Sequence, residues 1–184
     1  AAASNKILGI AVRENLGLPD GYFQNTPEYQ LPVVAAIRRF RPAIVLANAV
    51  ADRHPDHGKA AALATDACFL AGLVRVVTHE ANGSPQLPWR PTHVYHYIQD
   101  RYLTPDLVVD VSAHWERKMA AIAAYGSQFY DPSSPEPPTY IAAEGFMDTI
   151  RARAVELGHY IGVAYGEGFS KARHLGVRSL FDLL

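Results

Sequence analysis

The stretch from Arg41 to Leu73, RPAIVLANAVADRHPDHGKAAALATDACFLAGL, constrains the fold more than any other part of the 184-residue chain. It begins with AIVLAN, an unbroken apolar run of strand length, the form expected of a strand covered on both faces. It continues through His54-Pro55-Asp56-His57 into an alanine-rich segment that reads as a helix from Pro55 to about Leu73. Proline is favoured at the first helical position, where its missing amide costs nothing. Strand, turn and helix in immediate succession form the first half of a β-α-β unit.

The same alternation extends along the chain. Residues 1–9 read as a helix stopped by Gly9, followed by IAVREN as a short strand and by a loop marked by Pro19-Asp20-Gly21. PEYQLPVVAAIRRF has helical apolar spacing, with Thr26 as N-cap and Glu28 in the first turn. HVYHYI and DLVVDVS read as strands, and Ser112 is placed to cap a helix over AHWERKMAAIAAY. Pro132, Pro135, Pro137 and Pro138 make a loop, a last helix runs from about Ala143 to Leu157, and YIGVAYGEGF reads as strand then turn. Strands alternating with helices predict a single α/β domain over 1–184 with a largely parallel sheet.

Composition removes several classes of function. With 17 basic and 18 acidic residues spread evenly, the chain has no basic stripe for nucleic acid. No apolar run approaches the roughly 18 residues of a membrane span. The N-terminus lacks the charged start and cleavage site of a signal peptide. A single Cys68 excludes an internal disulfide framework and reads as a small buried hydrophobe in a reducing compartment. The expectation is a soluble cytoplasmic protein. No G-x-G-x-x-G follows a strand, which leaves dinucleotide binding without support.

With Pro55 at N1, His54 is the N-cap, Asp56 is N2 and His57 is N3, so both imidazoles can face one point beyond the carboxyl end of AIVLAN. Open α/β sheets place their sites there. One imidazole can bind a metal while the other, kept protonated by Asp56, donates to a developing oxyanion. The spacing also fits a plain helix start, with Asp56 complementing the helix dipole and two solvated rings. A catalytic zinc takes three protein ligands and a water, and this turn supplies one or two.

VLANAVADRHPDHGKAA, with RENLGLPDG before it and YGSQF and YGEGF after it, resembles the LmbE-like (PIG-L) zinc-dependent deacetylases. The likeness is greatest to those that deacetylate N-acetylglucosaminyl-malate in bacillithiol biosynthesis. It implies a Rossmann-like three-layer α/β sandwich and a zinc cofactor. It further implies a small N-acetylated amino-sugar substrate and a homo-oligomer. It assigns His57 as a zinc ligand, His54 as the charged partner that stabilises the tetrahedral intermediate, and Asp56 as the group that orients His54. Arg13 matches a residue of the substrate pocket. Apart from the resemblance, Asp20 in GLPDG is either a loop carboxylate near substrate hydroxyls or a plain turn aspartate.

The family's other two ligands and its general base come from a His-Pro-Asp-Asp type motif, and the 184 residues contain none. On that pattern the domain is expected to be incomplete at its N-terminal strand-helix-strand portion. The rival reading is a non-catalytic α/β module that holds a sugar or a partner. A third is a family hydrolase with another substrate, such as a chitooligosaccharide or a glycopeptide. His93 and His96, three apart on a strand, are expected on opposite faces. Glu167 of YGEGF is given a structural role at a strand-to-loop turn.

Overall fold

A computed structural model describes residues 1–125, 139–143 and 145–183. The fold is α/β. Its helices are α1 (Ala2–Leu8), α2 (Pro27–Phe40), α3 (Pro55–Ala71), α4 (Trp115–Ala123) and α5 (Phe146–Tyr160). Its strands are β1 (Ile44–Ala47), β2 (His93–Tyr97), β3 (Leu107–Asp110) and β4 (Gly166–Lys171), in the sheet order β1-β2-β4-β3. β1 and β2 run parallel, with Ile44 opposite His93 and Ala47 opposite His96. β4 runs antiparallel to β2, with Tyr95 opposite Lys171, so the sheet is mixed. The chain forms two compact units, Ala1–Asn15 with Val108–Glu167, and Leu16–Leu107 with Gly168–Leu184.

The second unit holds the β1-α3-β2 crossover and its core. Val34 and Ile37 of α2 meet Ala67, Cys68 and Ala71 of α3, and Val45 and Val94 of the two parallel strands pack against this cluster. Small residues on α3 let α2 and the sheet approach it closely, which accounts for an alanine-rich rather than leucine-rich helix. Trp89 closes the lower edge of the cluster and donates from its indole nitrogen to the Pro42 carbonyl at 2.9 Å.

Arg38 is buried at the C-terminal end of α3. Its Nε donates to the Ala71 carbonyl at 3.0 Å and its Nη2 to Leu73 at 2.8 Å, while Nη1 donates to the Val76 carbonyl at 2.6 Å and to Thr78 Oγ1 at 2.8 Å. These acceptors include the last carbonyls of α3 and of the turn beyond it, which the helix cannot satisfy itself. The negative end of the helix dipole also favours the cation there.

Cys68 is buried in the core, and burial pushes its thiol up to about 11. The thiolate is the reactive form. We therefore expect native protein at pH 8 to resist alkylation by iodoacetamide and to react stoichiometrically once unfolded in urea. Rapid native labelling would contradict this placement.

In the first unit, α5 and β4 touch backbone to backbone. A Cβ on Gly166 would lie 2.7 Å from the Gly158 nitrogen and 2.7 Å from Val108 Cγ1. Trp115, buried, stacks on Tyr165 with ring centroids 4.2 Å apart. Glu167 accepts from Lys118 Nζ.

Several expectations are corrected. IAVREN is not a strand, since residues 10–15 carry no ladder and Ile10 and Val12 are exposed. β1 is not covered on both faces: Ile44 and Leu46 are 54% and 57% exposed, whereas Val45 and Ala47 face the core side. Ser112 does not cap α4 with its side chain; it starts a short 3-10 turn, Ser112–His114, and its Oγ accepts from the Tyr165 N–H at 3.0 Å. YIGVAYGEGF is turn then strand, which puts Glu167 inside β4. Residues 126–138, with most of YGSQF and the expected proline-rich loop, lie outside the described residues.

Candidate active site at the start of the third helix

α3 begins as its sequence requires. Pro55 takes N1, and His54 sits at N-cap in extended backbone, φ −83° and ψ 127°. Its Nδ1 accepts the Asp56 N–H at 3.2 Å, satisfying one of the amides that a helix start leaves open. The His57 ring lies one turn-edge away, with the two imidazole centroids 5.3 Å apart and tilted by 34°. The expected juxtaposition of the two rings is present.

The His54 ring is oriented by the main-chain N–H of Asp56, which reaches its Nδ1, and not by that residue's carboxylate.

The Asp56 carboxylate faces elsewhere. Oδ2 accepts the Gly21 N–H at 2.6 Å, and Oδ1 accepts from Lys59 Nζ at 3.3 Å; the same ammonium donates to the Gly21 carbonyl at 3.0 Å. Burial pushes the Asp56 carboxyl up, but the Gly21 N–H and Lys59 outweigh it and hold the group below the usual carboxylate range. Gly21 takes φ +77° in the turn closed by the Tyr22 and Phe23 amides on the Pro19 carbonyl. Through this latch the loop that carries exposed Asp20 is brought onto the first turn of α3.

The residue that sequence reasoning missed is Asp52. Its side chain is fully buried, and its Oδ2 makes a short hydrogen bond with His57 Nδ1. Its Oδ1 accepts the N–H groups of Asp100 at 3.0 Å and Arg101 at 2.7 Å. Burial pushes the Asp52 carboxyl up, and the Arg101 N–H, the His57 ring and the Arg53 and Asp100 N–H groups together bring it below its ordinary value. His57 keeps a quarter of its side chain exposed, and its Nε2 lies 3.5 Å from Gln99 Nε2. Arg53 Nε and Asp100 Oδ2 are 3.4 Å apart at the rim. An aspartate between a strand end and a histidine-bearing helix start was the available signal.

The remaining candidates separate. Arg13 is exposed in the first unit, on the segment 10–15 that forms no strand. His96 is buried, its Nδ1 2.8 Å from the Asn48 carbonyl and its Nε2 3.3 Å from Thr65 Oγ1, beside a cleft of about 360 Å³. His93 lies on the other face and stacks with Tyr95 at 5.7 Å. Among the described residues no group of three His, Cys, Asp or Glu side chains could hold a metal. The donor chemistry of His57, with Asp52 behind it, fits one zinc ligand and does not complete a site.

Comparison with known proteins gives this geometry its setting. The family model for GlcNAc-PI de-N-acetylase, PIG-L, matches residues 1–68, the region that contains His54, Asp56 and His57. Diacetylchitobiose deacetylase of Thermococcus kodakarensis is 30% identical over 169 residues, covering 90% of this chain. The chain spans 58% of that relative's length. A conserved protein of Thermus thermophilus has a structure with TM-score 0.81 and 34% identity, covering 96% of this chain and 73% of that one. N,N'-diacetylchitobiose deacetylase of Pyrococcus horikoshii shares the fold at TM-score 0.69 and 23% identity, over 98% of this chain and 65% of its own. So does 4-carboxy-2-hydroxymuconate hydratase of Pseudomonas putida KT2440, at TM-score 0.72 and 21% identity, over 97% of this chain and 71% of its own. The family model and the 30% identical relative make the chain similar to PIG-L-type deacetylases, and the HPDH turn lies within the matched region.

Proposed function

We propose that the protein hydrolyses the N-acetyl group of an N-acetylglucosamine conjugate with zinc as cofactor. The observation that carries this reading is the imidazole pair at the start of α3, one ring backed by a buried carboxylate and the other fixed by a main-chain amide. When bound, zinc supplies Lewis-acid polarisation and an acidified water.

The chain's own residues do the following. Asp52 fixes the His57 ring, whose Nε2 is the metal-facing nitrogen in this reading. His54 donates from Nε2 to the oxygen that becomes negative as the acetamide carbonyl turns tetrahedral. One such donor contributes on the order of 3–4 kcal/mol. Asp56 acts by holding the Pro19–Phe23 loop, and Asp20 is the carboxylate proposed to meet sugar hydroxyls. Arg13 is retained as a pocket residue on resemblance alone.

The proposed substrate is N-acetylglucosaminyl-malate, supported by the ordered motifs RENLGLPDG, DRHPDHGKAA and YGEGF. A second reading, diacetylchitobiose, is favoured by the 30% identity to a deacetylase of that sugar. Both give acetate and a free amine. Incubation of purified protein with each sugar, with and without added zinc, should release acetate from one at least about ten times faster than from the other, the discrimination expected when a pocket is built to hydrogen-bond one of them. Release from neither, with no zinc retained on the protein, would return the reading to a non-catalytic sugar- or partner-binding module. A cytoplasmic homo-oligomer is the proposed state; no helix of the described residues is long and apolar enough to cross a membrane.

A further inference from the structure

We propose that Asp52 is the positioning residue of the site: it holds His57 in the Nδ1–H tautomer, leaving Nε2 as an outward lone pair, and ties that orientation to the segment 99–101 after β2. This role rests on the preceding reading in taking His57 as the ring that does chemistry.

Donors and acceptors decide the tautomer. A neutral imidazole has one N–H and one lone pair, and the partner of one nitrogen decides the state of the other. An ionised carboxylate only accepts. With Asp52 Oδ2 against Nδ1, the ring must donate there, and Nε2 is left bare. The opposite oxygen already accepts two main-chain amides, from Asp100 and Arg101. The carboxylate is therefore held by the His57 ring and by main-chain N–H groups from two separate parts of the chain, in a fully buried position.

Helical periodicity does not produce this pair. Asp52 precedes α3, five residues before His57, and reaches the ring because the chain doubles back through Arg53 and His54. Asp100 and Arg101 lie 48 and 49 residues further on, at the exit of the neighbouring parallel strand. The buried charge thus joins the two strand ends that border the site. It also sets Gln99 beside His57, with the side-chain nitrogen 3.5 Å from Nε2. Without Asp52 the ring could rotate or exchange its proton between nitrogens, and the exit of β2 would lose two hydrogen bonds.

Asp52→Asn separates this role from simple filling of space. The amide keeps the size of the carboxylate but has one acceptor oxygen. If that oxygen serves the two main-chain N–H groups, its NH2 faces His57 Nδ1, which must then accept. The proton moves to Nε2 and the bare nitrogen is lost. The same change beside a catalytic histidine in serine proteases lowers kcat by roughly 10⁴ through the wrong tautomer.

The test uses the full chain, 15N-labelled at histidine, without added metal. Long-range 1H–15N correlation should show His57 protonated at Nδ1 in the parent and at Nε2 in Asp52→Asn. With whichever acetylated sugar the parent accepts, kcat of the variant should fall by on the order of 10³ or more while KM changes little. A parent His57 protonated at Nε2, or a variant with unchanged Nδ1–H, would overturn the proposal. Should the variant fail to fold, the parent spectrum decides it. If the tautomers are as expected but the parent hydrolyses neither sugar, the positioning role stands and the deacetylase reading falls.

Discussion

Replacing His57 with alanine is expected to lower acetate release by ~10³-fold or more, the order lost when one member of a catalytic set is removed. The fold should survive. His57 lies outside the buried core, and the Asp52 carboxylate retains its main-chain donors, so the stability cost should be about 1–3 kcal/mol. Zinc content should fall with activity. His54→Ala should behave differently: it removes the proposed oxyanion donor and an N-cap, so it is expected to cost both rate and helix stability, the latter by about 1 kcal/mol. Steady-state assay, metal analysis and urea unfolding on the same preparations resolve the two. A His57→Ala protein within about tenfold of the parent rate would remove His57 from the chemistry altogether.

Arg38→Met is expected to destabilise the second unit by about 3–5 kcal/mol, the range for uncovering strongly hydrogen-bonded buried polar groups. Methionine keeps much of the aliphatic volume but none of the donors. The carbonyls of Ala71, Leu73 and Val76 and the Thr78 hydroxyl would each lose a partner, in a place that water reaches poorly. Against a typical domain stability of about 5–15 kcal/mol, this is a large fraction. Arg38→Lys should lie between the two, because an ammonium keeps the charge but not the planar fork that spans these acceptors. The measurement is the urea midpoint at fixed slope. A shift corresponding to less than about 1 kcal/mol would mean that the acceptors find other partners and that Arg38 is not the plug of α3.

The parts of the fold legible in the sequence are those where a local rule and the tertiary environment agree. Pro27 and Pro55 both mark N1 positions, and Gly9 ends α1 in the left-handed region at φ +69°. Where tertiary contacts overrule local preference, reading fails. β4 contains Gly166 and Gly168, poor strand residues; Gly166 is required because the backbone of α5 comes too close for any Cβ. IAVREN has strand-like apolar residues but no partner strand among the described residues, and propensity alone does not make a ladder. Ser112 is legible as a hydrogen-bonding residue near a helix start, yet its partner lies 53 residues away, at Tyr165.

The site divides in the same way. His54 at N-cap and His57 at N3 follow from one proline and helical geometry, so their meeting can be read directly. The pairing of Asp52 with His57 depends on a loop reversal, and its bonds to 100 and 101 depend on the β1-β2 register, neither of which is written in the spacing. The orientation of His54 escapes a sequence reading for a related reason. Sequence shows a neighbouring carboxylate at Asp56, but that carboxylate turns toward Gly21 and Lys59, and only the amide faces the ring.

The grip of Asp56 on Gly21 has a consequence for how such a protein can change over evolutionary time. The bond is made to a main-chain amide, so it is indifferent to the side chains on either side. Asp20 and Tyr22, both exposed, can be exchanged freely provided that position 21 still adopts φ +77°. The outward side chains of the loop are thereby insulated from the histidine turn beneath it, which stays in register whatever they are, and grafted loops of different composition should be accepted wherever that one glycine is kept.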